Sequence, residues 1–375
     1  MVRISIPTLP ITPPLPPSAL TKLPLKEAAA YLSTFLSNGK GKTVILSGAG
    51  LSVDSGIRAY RGKEGHYSNP NYKPILYHEL VEETARGEMF RKRYWARSFL
   101  GYPPVRDARP NPTHIYVAAL QLLGLAPNLI TQNVDNLHPK ARSLLLESLP
   151  RTSASRPHTV PSIVELHGTL AKVHCLHAKH EQPRDEYQAQ LAKANPVWEE
   201  MALEAERTGV RPRTNPDGDV ELSGVDFSSF TVPPCKICEG EGRKERVVKP
   251  NVVFFGETLN PGVKDESLNL ISNASQLLVL GTSLATYSAF RLVKQAVEED
   301  KPVLMITTGP TRADKLESVD KMDRRAGEVL RAYLDELVKT NSGTNSGPEV
   351  EAVKRCLDMG IVIPPPEVEG PRAEG

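Results

Sequence analysis

Thr43-Val44-Ile45-Leu46-Ser47-Gly48-Ala49-Gly50-Leu51-Ser52 runs from an apolar, β-branched stretch straight into two glycines. Thr43 to Leu46 reads as a short buried strand. In the turn Gly48-Ala49-Gly50 a backbone with few Cβ atoms can approach a pyrophosphate, whose charge is met by N–H groups at the start of the next helix. A helix is therefore expected after the turn. The ordinary dinucleotide fingerprint is not satisfied, because Val53 stands at the third glycine's position and no acid lies about twenty residues on to hold a ribose. That argues against a hydride-transfer dehydrogenase and leaves nucleotide binding in place.

Working outward, residues Leu25 to Leu36 read as a helix ending near Asn38-Gly39. Further strands are expected at Asn128 to Thr131, Ile163 to Leu166, Val252 to Phe255, Leu277 to Leu280 and Val303 to Ile306. Helical stretches at about 262–273, 287–299 and 324–338 alternate with them. This pattern is that of an α/β fold, a Rossmann-like parallel sheet covered on both faces. Three segments interrupt it. Residues about 60–110 are polar and aromatic, with a helix from Phe90 to Phe99. Leu144 to Ser162 carries Pro150, Pro157 and Pro161 and reads as a surface excursion. Gly168 to Lys249 holds three of the four cysteines and reads as an inserted module. After Asn341 a Ser/Gly/Asn-rich run reads as a linker into a loose tail.

Composition narrows the function classes. The chain has 375 residues with 46 basic against 44 acidic ones, a net charge of +2. Nothing there favours sequence-independent nucleic-acid binding. No apolar run reaches the length that spans a bilayer. Four cysteines do not make a disulfide framework in so long a chain, and Cys235-Lys236-Ile237-Cys238 reads as metal binding or redox. Cys356 reads as incidental. Residues 1–26 hold Arg3, Lys22 and Lys26 and no acid, one mark of a mitochondrial transit peptide. The six prolines from Pro7 to Pro17 oppose a continuous helix there and suit an extended arm instead.

The longer string Gly48-Ala49-Gly50-Leu51-Ser52-Val53-Asp54-Ser55-Gly56-Ile57-Arg58-Ala59-Tyr60-Arg61-Gly62 closely resembles the first signature of the sirtuin family. Thr131-Gln132-Asn133-Val134-Asp135-Asn136-Leu137-His138 is similar to the second, and Glu165-Leu166-His167-Gly168 to the third. Lys249 to Glu257 and Gly281-Thr282-Ser283-Leu284 match the fourth and fifth. The five motifs come in family order over roughly residues 40–330. Arg93-Tyr94-Trp95-Ala96-Arg97 and Gly309-Pro310-Thr311-Arg312 most resemble the class II, mitochondrial branch.

The resemblance implies an NAD-dependent protein-lysine deacylase that transfers the acyl group to ADP-ribose and releases nicotinamide. It implies acyl-lysine proteins as substrates, NAD and zinc as cofactors, and the mitochondrial matrix ahead of nucleus or cytoplasm. Mono-ADP-ribosyl transfer and a non-catalytic NAD-binding module remain the alternatives. The implied layout is an arm at 1–24, a catalytic domain at 25–340 and a flexible tail at 341–375. Within the domain, the Rossmann-like parts are about 25–60, 110–167 and 250–340, with the helical insertion at 60–110 and the zinc module at 168–249. His167, with an imidazole suited to general-base work near neutral pH, would deprotonate a ribose hydroxyl, with Asn133 and Asp135 in the same pocket. Gly48, Ala49, Gly50, Ser52, Ile57, Tyr60, Arg61, Gln132, Gly281, Thr282, Ser283 and Thr307 would complete the cofactor site. Val253, Phe254 and Phe255 would meet the substrate peptide by strand addition.

The match departs from the family at four points. The first zinc knuckle begins at Cys175, but Ala178 stands where its partner is expected. A three-Cys, one-His site of Cys175, His180, Cys235 and Cys238 is one solution, and a weakened or absent site is the other. Ala59 replaces the acid usual in the first motif. Thr307 replaces an Asn near the adenosine ribose. The link at 144–162 is longer than usual. Tyr94 and Arg97 lie three apart on one helix face. By resemblance they face the acyl pocket, where Arg97 can grip a carboxylated acyl chain; the competing reading is a solvated basic helix.

Overall fold

The computed structural model describes residues 20–60, 75–149, 162–209, 214–215, 217–220, 222, 224–244, 246–341 and 347–358. Helix α1 (Leu25–Asn38) leads into strand β1 (Thr43–Ser47), followed by α2 (Tyr77–Val81), α3 (Ala85–Asp107) and α4 (Pro112–Leu122). Next come β2 (Asn128–Thr131), α5 (Leu137–Glu147), β3 (Ile163–Glu165), β4 (Gly168–Cys175) and β5 (Glu181–Pro183). Then α6 (Arg184–Ala194), α7 (Pro196–Thr208) and α8 (Lys236–Gly240) precede β6 (Val248–Val252). The chain continues through α9 (Pro261–Asn273), β7 (Gln276–Leu280), α10 (Tyr287–Glu298), β8 (Val303–Ile306), β9 (Val319–Met322), α11 (Ala326–Asn341) and α12 (Pro348–Asp358).

Six strands form one parallel sheet in the order β3-β2-β1-β7-β8-β9. Its apolar strands are buried on both sides, as a parallel sheet under helical layers requires. Alternation along each strand divides the side chains between two cores. Ile45, Leu278, Leu280, Leu304 and Ile306 face α1, α4 and α11. Val44, Leu46, Leu277, Val279, Val303 and Met305 face α9 and α10. The helices supply matching stripes: Ala28, Leu32, Phe35 and Leu36 on α1, and Ala289, Leu292, Val293 and Ala296 on α10.

A second, antiparallel sheet has the order β5-β4-β6. It shares a core with the helical insertion, where Tyr94, Trp95 and Phe99 of α3 pack with Val173, Tyr187, Leu191, Trp198 and Phe230. The fold is therefore the expected α/β class, a Rossmann-like sheet with a small inserted module and a helical insertion.

Several expectations are corrected. No α-helix follows the glycine turn within residues 51–60; two short 3-10 turns, Ala49–Leu51 and Val53–Ser55, end at the left-handed Gly56. The strand placed at Val252 to Phe255 lies earlier, at Val248–Val252, and pairs antiparallel with β4 in the small sheet. The helix placed at Phe90 to Phe99 extends over 23 residues, because Thr84 caps its start and its two prolines lie near its end. The first residues of the 144–162 excursion belong to α5, and 150–161 fall outside the described residues. The tail from 341 is not loose throughout: Pro348–Asp358 is helical, and Ala352, Val353, Cys356 and Leu357 join the core against α4 and α11. Cys356 is thus a packing residue. Most of the arm at 1–24 lies outside the described residues.

Val353 is 1% and Leu357 5% exposed. Burial of such side chains stabilises by ~1.5–3 kcal/mol each. Truncation after Asn341 is expected to lower the melting temperature by about 5 °C or more. An unchanged melting curve would mean that α12 contributes nothing to the core.

Candidate active site and metal centre

The order of the large sheet reverses between β1 and β7, so the two connections leaving their carboxyl ends diverge and open a crevice, the place where α/β sheets bind ligands. The backbone there is unusually close. Gly48 N–H donates to the Leu280 carbonyl at 3.1 Å, and Gly50 N–H to the Gly281 carbonyl at 2.9 Å. A Cβ on Gly50 would sit 2.7 Å from the Gly281 oxygen, and Gly281 itself has φ +56°. Glycine is required at both positions by contact and by backbone conformation.

The loop after β2 closes the crevice floor. Gln132 donates through Nε2 to the Ser47 carbonyl (3.1 Å) and to Thr282 Oγ1 (3.0 Å), tying β1, β2 and β7 together. Asn133 Nδ2 donates to the Gly48 carbonyl (3.3 Å) and to Ser52 Oγ (3.0 Å). Ser52 in turn donates to Asp135 Oδ2 at 2.6 Å, and the other carboxylate oxygen accepts from Leu137 N–H at 2.9 Å. Ser52, Asn133 and Asp135 are buried. Burial pushes the Asp135 carboxyl up, while the Ser52 hydroxyl and the Leu137 N–H hold it down.

His167 lies at the rim, in the turn between β3 and β4. Its Nδ1 faces the Gln132 carbonyl oxygen at 3.1 Å. A carbonyl only accepts, so Nδ1 carries the proton and Nε2 keeps its lone pair. Nε2 is 2.7 Å from Ser288 Oγ, in the first turn of α10. Burial pushes the imidazole down from 6.5 to about 4, with the Gln132 carbonyl opposing. The ring is neutral at physiological pH, with a fixed tautomer and an accepting nitrogen.

The remaining expected residues take varied places. Thr282 Oγ1 accepts from Leu284 N–H at 3.1 Å, and the Ser283 carbonyl accepts from Arg312 N–H at 2.9 Å. Thr307, buried at the end of β8, donates its N–H to the Met322 carbonyl at 3.2 Å. Ile57 packs with Tyr102, Val134 and Leu137. Ala49 and Tyr60 are partly exposed, and Arg61 lies outside the described residues. Val253 N–H donates to the His167 carbonyl (2.9 Å), and Phe254 N–H to Glu257 Oε2 (2.9 Å). The Phe255 carbonyl accepts from Tyr77 N–H at 2.9 Å. The main chain of 253–255 is therefore largely engaged within the protein.

Tyr94 and Arg97 are buried, against the reading of a solvated basic helix. The Tyr94 ring meets Phe254 edge-on at 5.2 Å between centroids. Arg97 donates from Nε to the Val220 carbonyl (2.6 Å) and pairs through Nη2 with Asp219 at 2.5 Å. Burial and nearby Asp217 push the Asp219 carboxyl up, and Arg97 draws it down. This counter-ion was invisible from the motif, since no pattern links positions so far apart.

Other residues to which no role was assigned surround the site. Ser47 Oγ donates to Thr131 Oγ1 (2.9 Å), so His138 Nε2, 2.9 Å from Ser47, is the donor of that contact. The His114 and His138 rings meet edge-on at 4.8 Å beneath the crevice. Burial holds Glu165 up at about 7, and its Oε1 is buried without a hydrogen-bond partner among the described residues.

The four expected metal ligands converge. One ligand atom from each of Cys175, His180, Cys235 and Cys238 lies within 4.8 Å of the others. Cys175 and Cys238 sulfurs are 3.4 Å apart, and His180 Nδ1 is 3.5 Å from Cys238 Sγ and 3.6 Å from Cys235 Sγ. A tetrahedral zinc with bonds of ~2.0–2.3 Å needs ligand separations of roughly 3.5–3.8 Å. The donor set fits. A tight turn with Lys179 at φ 56° makes it possible, folding His180 back so that its carbonyl accepts from Cys175 N–H at 2.9 Å. His180 thus lies where the second cysteine of the first knuckle is missing.

A model of the Sir2 family matches residues 48–288 of the chain. The chain belongs to the Sir2 family. Among its relatives, the "NAD-dependent protein deacylase SIR4" of Batrachochytrium dendrobatidis is 41% identical over 320 residues, covering 84% of this chain and 95% of that one. The human "NAD-dependent protein lipoamidase sirtuin-4, mitochondrial" is 36% identical over 323 residues, covering 86% and 88%. The solved structure titled "Sir2-p53 peptide-NAD+" shares the fold, with a TM-score of 0.54 and 24% identity over 84% of this chain and 98% of that one. Membership accounts for the sheet order and the inserted module together.

Metal analysis of the purified protein is expected to give about one zinc per chain, and His180→Ala to lower that occupancy sharply. Less than ~0.2 zinc in the unmodified protein would reject the site. Burial also holds His138 at about 3 in the folded chain, against 6.5 when unfolded. Between those values the unfolded chain binds the extra proton, so this contribution to stability is complete above pH 6.5 and is lost as pH falls. Melting temperatures from pH 7 to pH 4 should fall less steeply for His138→Gln than for the parent. Parallel slopes would exclude His138 as the titrating group.

Proposed function

We infer that the protein is an NAD-dependent protein-lysine deacylase that releases nicotinamide and passes the acyl group to ADP-ribose. The observation that carries this reading, beside family membership, is the fixed tautomer of His167. Its Nδ1 is committed to the Gln132 carbonyl, so Nε2 alone is left to take a proton. Bound NAD supplies the anomeric carbon from which nicotinamide leaves and the ribose that receives the acyl group. His167 accepts the proton of a ribose hydroxyl at Nε2. The glycine turn and the 281–283 loop would hold the phosphates and adenosine, and Thr307 the adenosine ribose. Asn133 and Asp135, rigidly held through Ser52, would face the nicotinamide end, and family resemblance assigns Tyr60 and Arg61 to cofactor binding as well.

Val253, Phe254 and Phe255 line the peptide approach, with contact restricted to the groups that the protein does not itself engage. Tyr94 packs against Phe254 on the proposed acyl side, and Arg97 can meet an acyl carboxylate only by sharing or exchanging Asp219. Zinc, when bound, ties the end of β4 to α8. The proposed catalytic domain spans 25–340, with the insertion at about 60–110 and the zinc module at about 168–249. Mitochondrial relatives and the acid-free residues 1–26 favour the matrix as its compartment.

The test is incubation with NAD and a panel of acyl-lysine peptides, with products identified by mass. Acyl-ADP-ribose and free lysine are expected, and His167→Ala should lose at least ~100-fold in turnover. ADP-ribosylated protein in place of acyl-ADP-ribose would reassign the reaction to ADP-ribosyl transfer. Arg97→Ala should depress activity on acidic acyl-lysines much more than on acetyl-lysine; equal losses would remove Arg97 from acyl recognition.

A further inference from the structure

The second hydrogen bond of His167 has no part in the reaction just described. Gln132 fixes the proton on Nδ1, so Nε2 can only accept, and the Ser288 hydroxyl 2.7 Å away must be its donor. The nitrogen required for chemistry is thus occupied by a side chain of the protein itself. Ser288 reaches it from the first turn of α10, just past the 281–286 loop. The same loop grips Gln132 through Thr282 Oγ1 (3.0 Å) and Thr286 Oγ1 (3.4 Å). Both ends of the imidazole are therefore held by the β2 and β7 connections, one nitrogen by each.

We propose that Ser288 is a positioning residue that caps the accepting nitrogen of His167 in the cofactor-free enzyme and yields it to a ribose hydroxyl when NAD enters. The proposal rests on His167 being the base. The cap does two things. It holds the ring in the plane and tautomer that the reaction needs, and it keeps the lone pair from protonation, because a hydrogen bond to the neutral form disfavours the charged one. The ribose hydroxyl then exchanges with Ser288 as donor, so the imidazole need not turn.

Full-length protein labelled with carbon-13 histidine is titrated by NMR without NAD, the His167 signal being assigned by its loss in His167→Gln. A neutral hydrogen bond of ordinary strength predicts that Ser288→Ala raises the His167 midpoint by about half to one pH unit. Ser288→Thr keeps the hydroxyl and should restore the parent midpoint, which a purely structural defect would not. Calorimetry should find NAD bound about 2- to 10-fold more tightly by Ser288→Ala, since no cap has to be displaced. An unshifted midpoint in the alanine variant overturns the proposal, and so does weaker NAD binding, which would make Ser288 a cofactor contact. Should NAD leave the His167 signal unmoved in the parent while the alanine shift is present, the cap stands and the assignment of His167 as base falls.

Discussion

Everything at the active crevice depends on how closely two strand ends approach. The Gly50 amide sits 2.9 Å from the Gly281 carbonyl with no space for a methyl group between them. That contact sets the separation of the loops leaving β1 and β7, and hence the width of the crevice at the point where the sheet reverses its order. Gln132 bridges both loops, and its carbonyl orients His167. A side chain at position 50 or 281 would wedge the loops apart and move the imidazole's anchor with them.

The site is built from buried polar groups, which are costly unless each finds a partner. Ser52 illustrates the economy of the solution: a single hydroxyl donates to Asp135 and accepts from Asn133. Two pocket side chains are thereby fixed by a residue that belongs to the glycine turn. The cost shows at Glu165, whose Oε1 lacks a partner among the described residues and whose carboxyl is pushed up to about 7. Polar groups placed this way are stiff, which suits a pocket that must hold a cofactor in one pose.

The chain's legibility follows from distance along it. Strands such as Thr43–Ser47 and Val303–Ile306 announce themselves by unbroken apolar runs, and the motif residues lie in short strings at strand ends, so they read off together. The cysteine and histidine cluster was legible because zinc restricts which residue types can serve. Three kinds of feature were not. The short edge strand Val319–Met322 alternates Val, Asp, Lys and Met and offers no periodic apolar signal. The α12 stripe of Ala352, Val353, Cys356 and Leu357 follows a run of small polar residues that reads as the end of the fold. The partners Ser288 for His167 and Asp219 for Arg97 come from segments more than a hundred residues away, where only tertiary packing decides who meets whom. The helix expected after the glycine turn failed for a local reason, since Gly56 at φ 80° ends the 3-10 turns before a longer helix can form.

Strand β4 starts one residue after His167 and ends on Cys175. Eight residues of extended chain span ~26 Å, so the strand links the proposed base at one end to the cysteine-histidine cluster at the other. Its antiparallel partner β6 stops at Val252, next to the residues proposed to meet the peptide. The Cys175 cluster is thus joined through one strand pair to both His167 and residues 253–255. The small sheet carries continuous backbone from the cysteine-histidine cluster to the rim of the crevice.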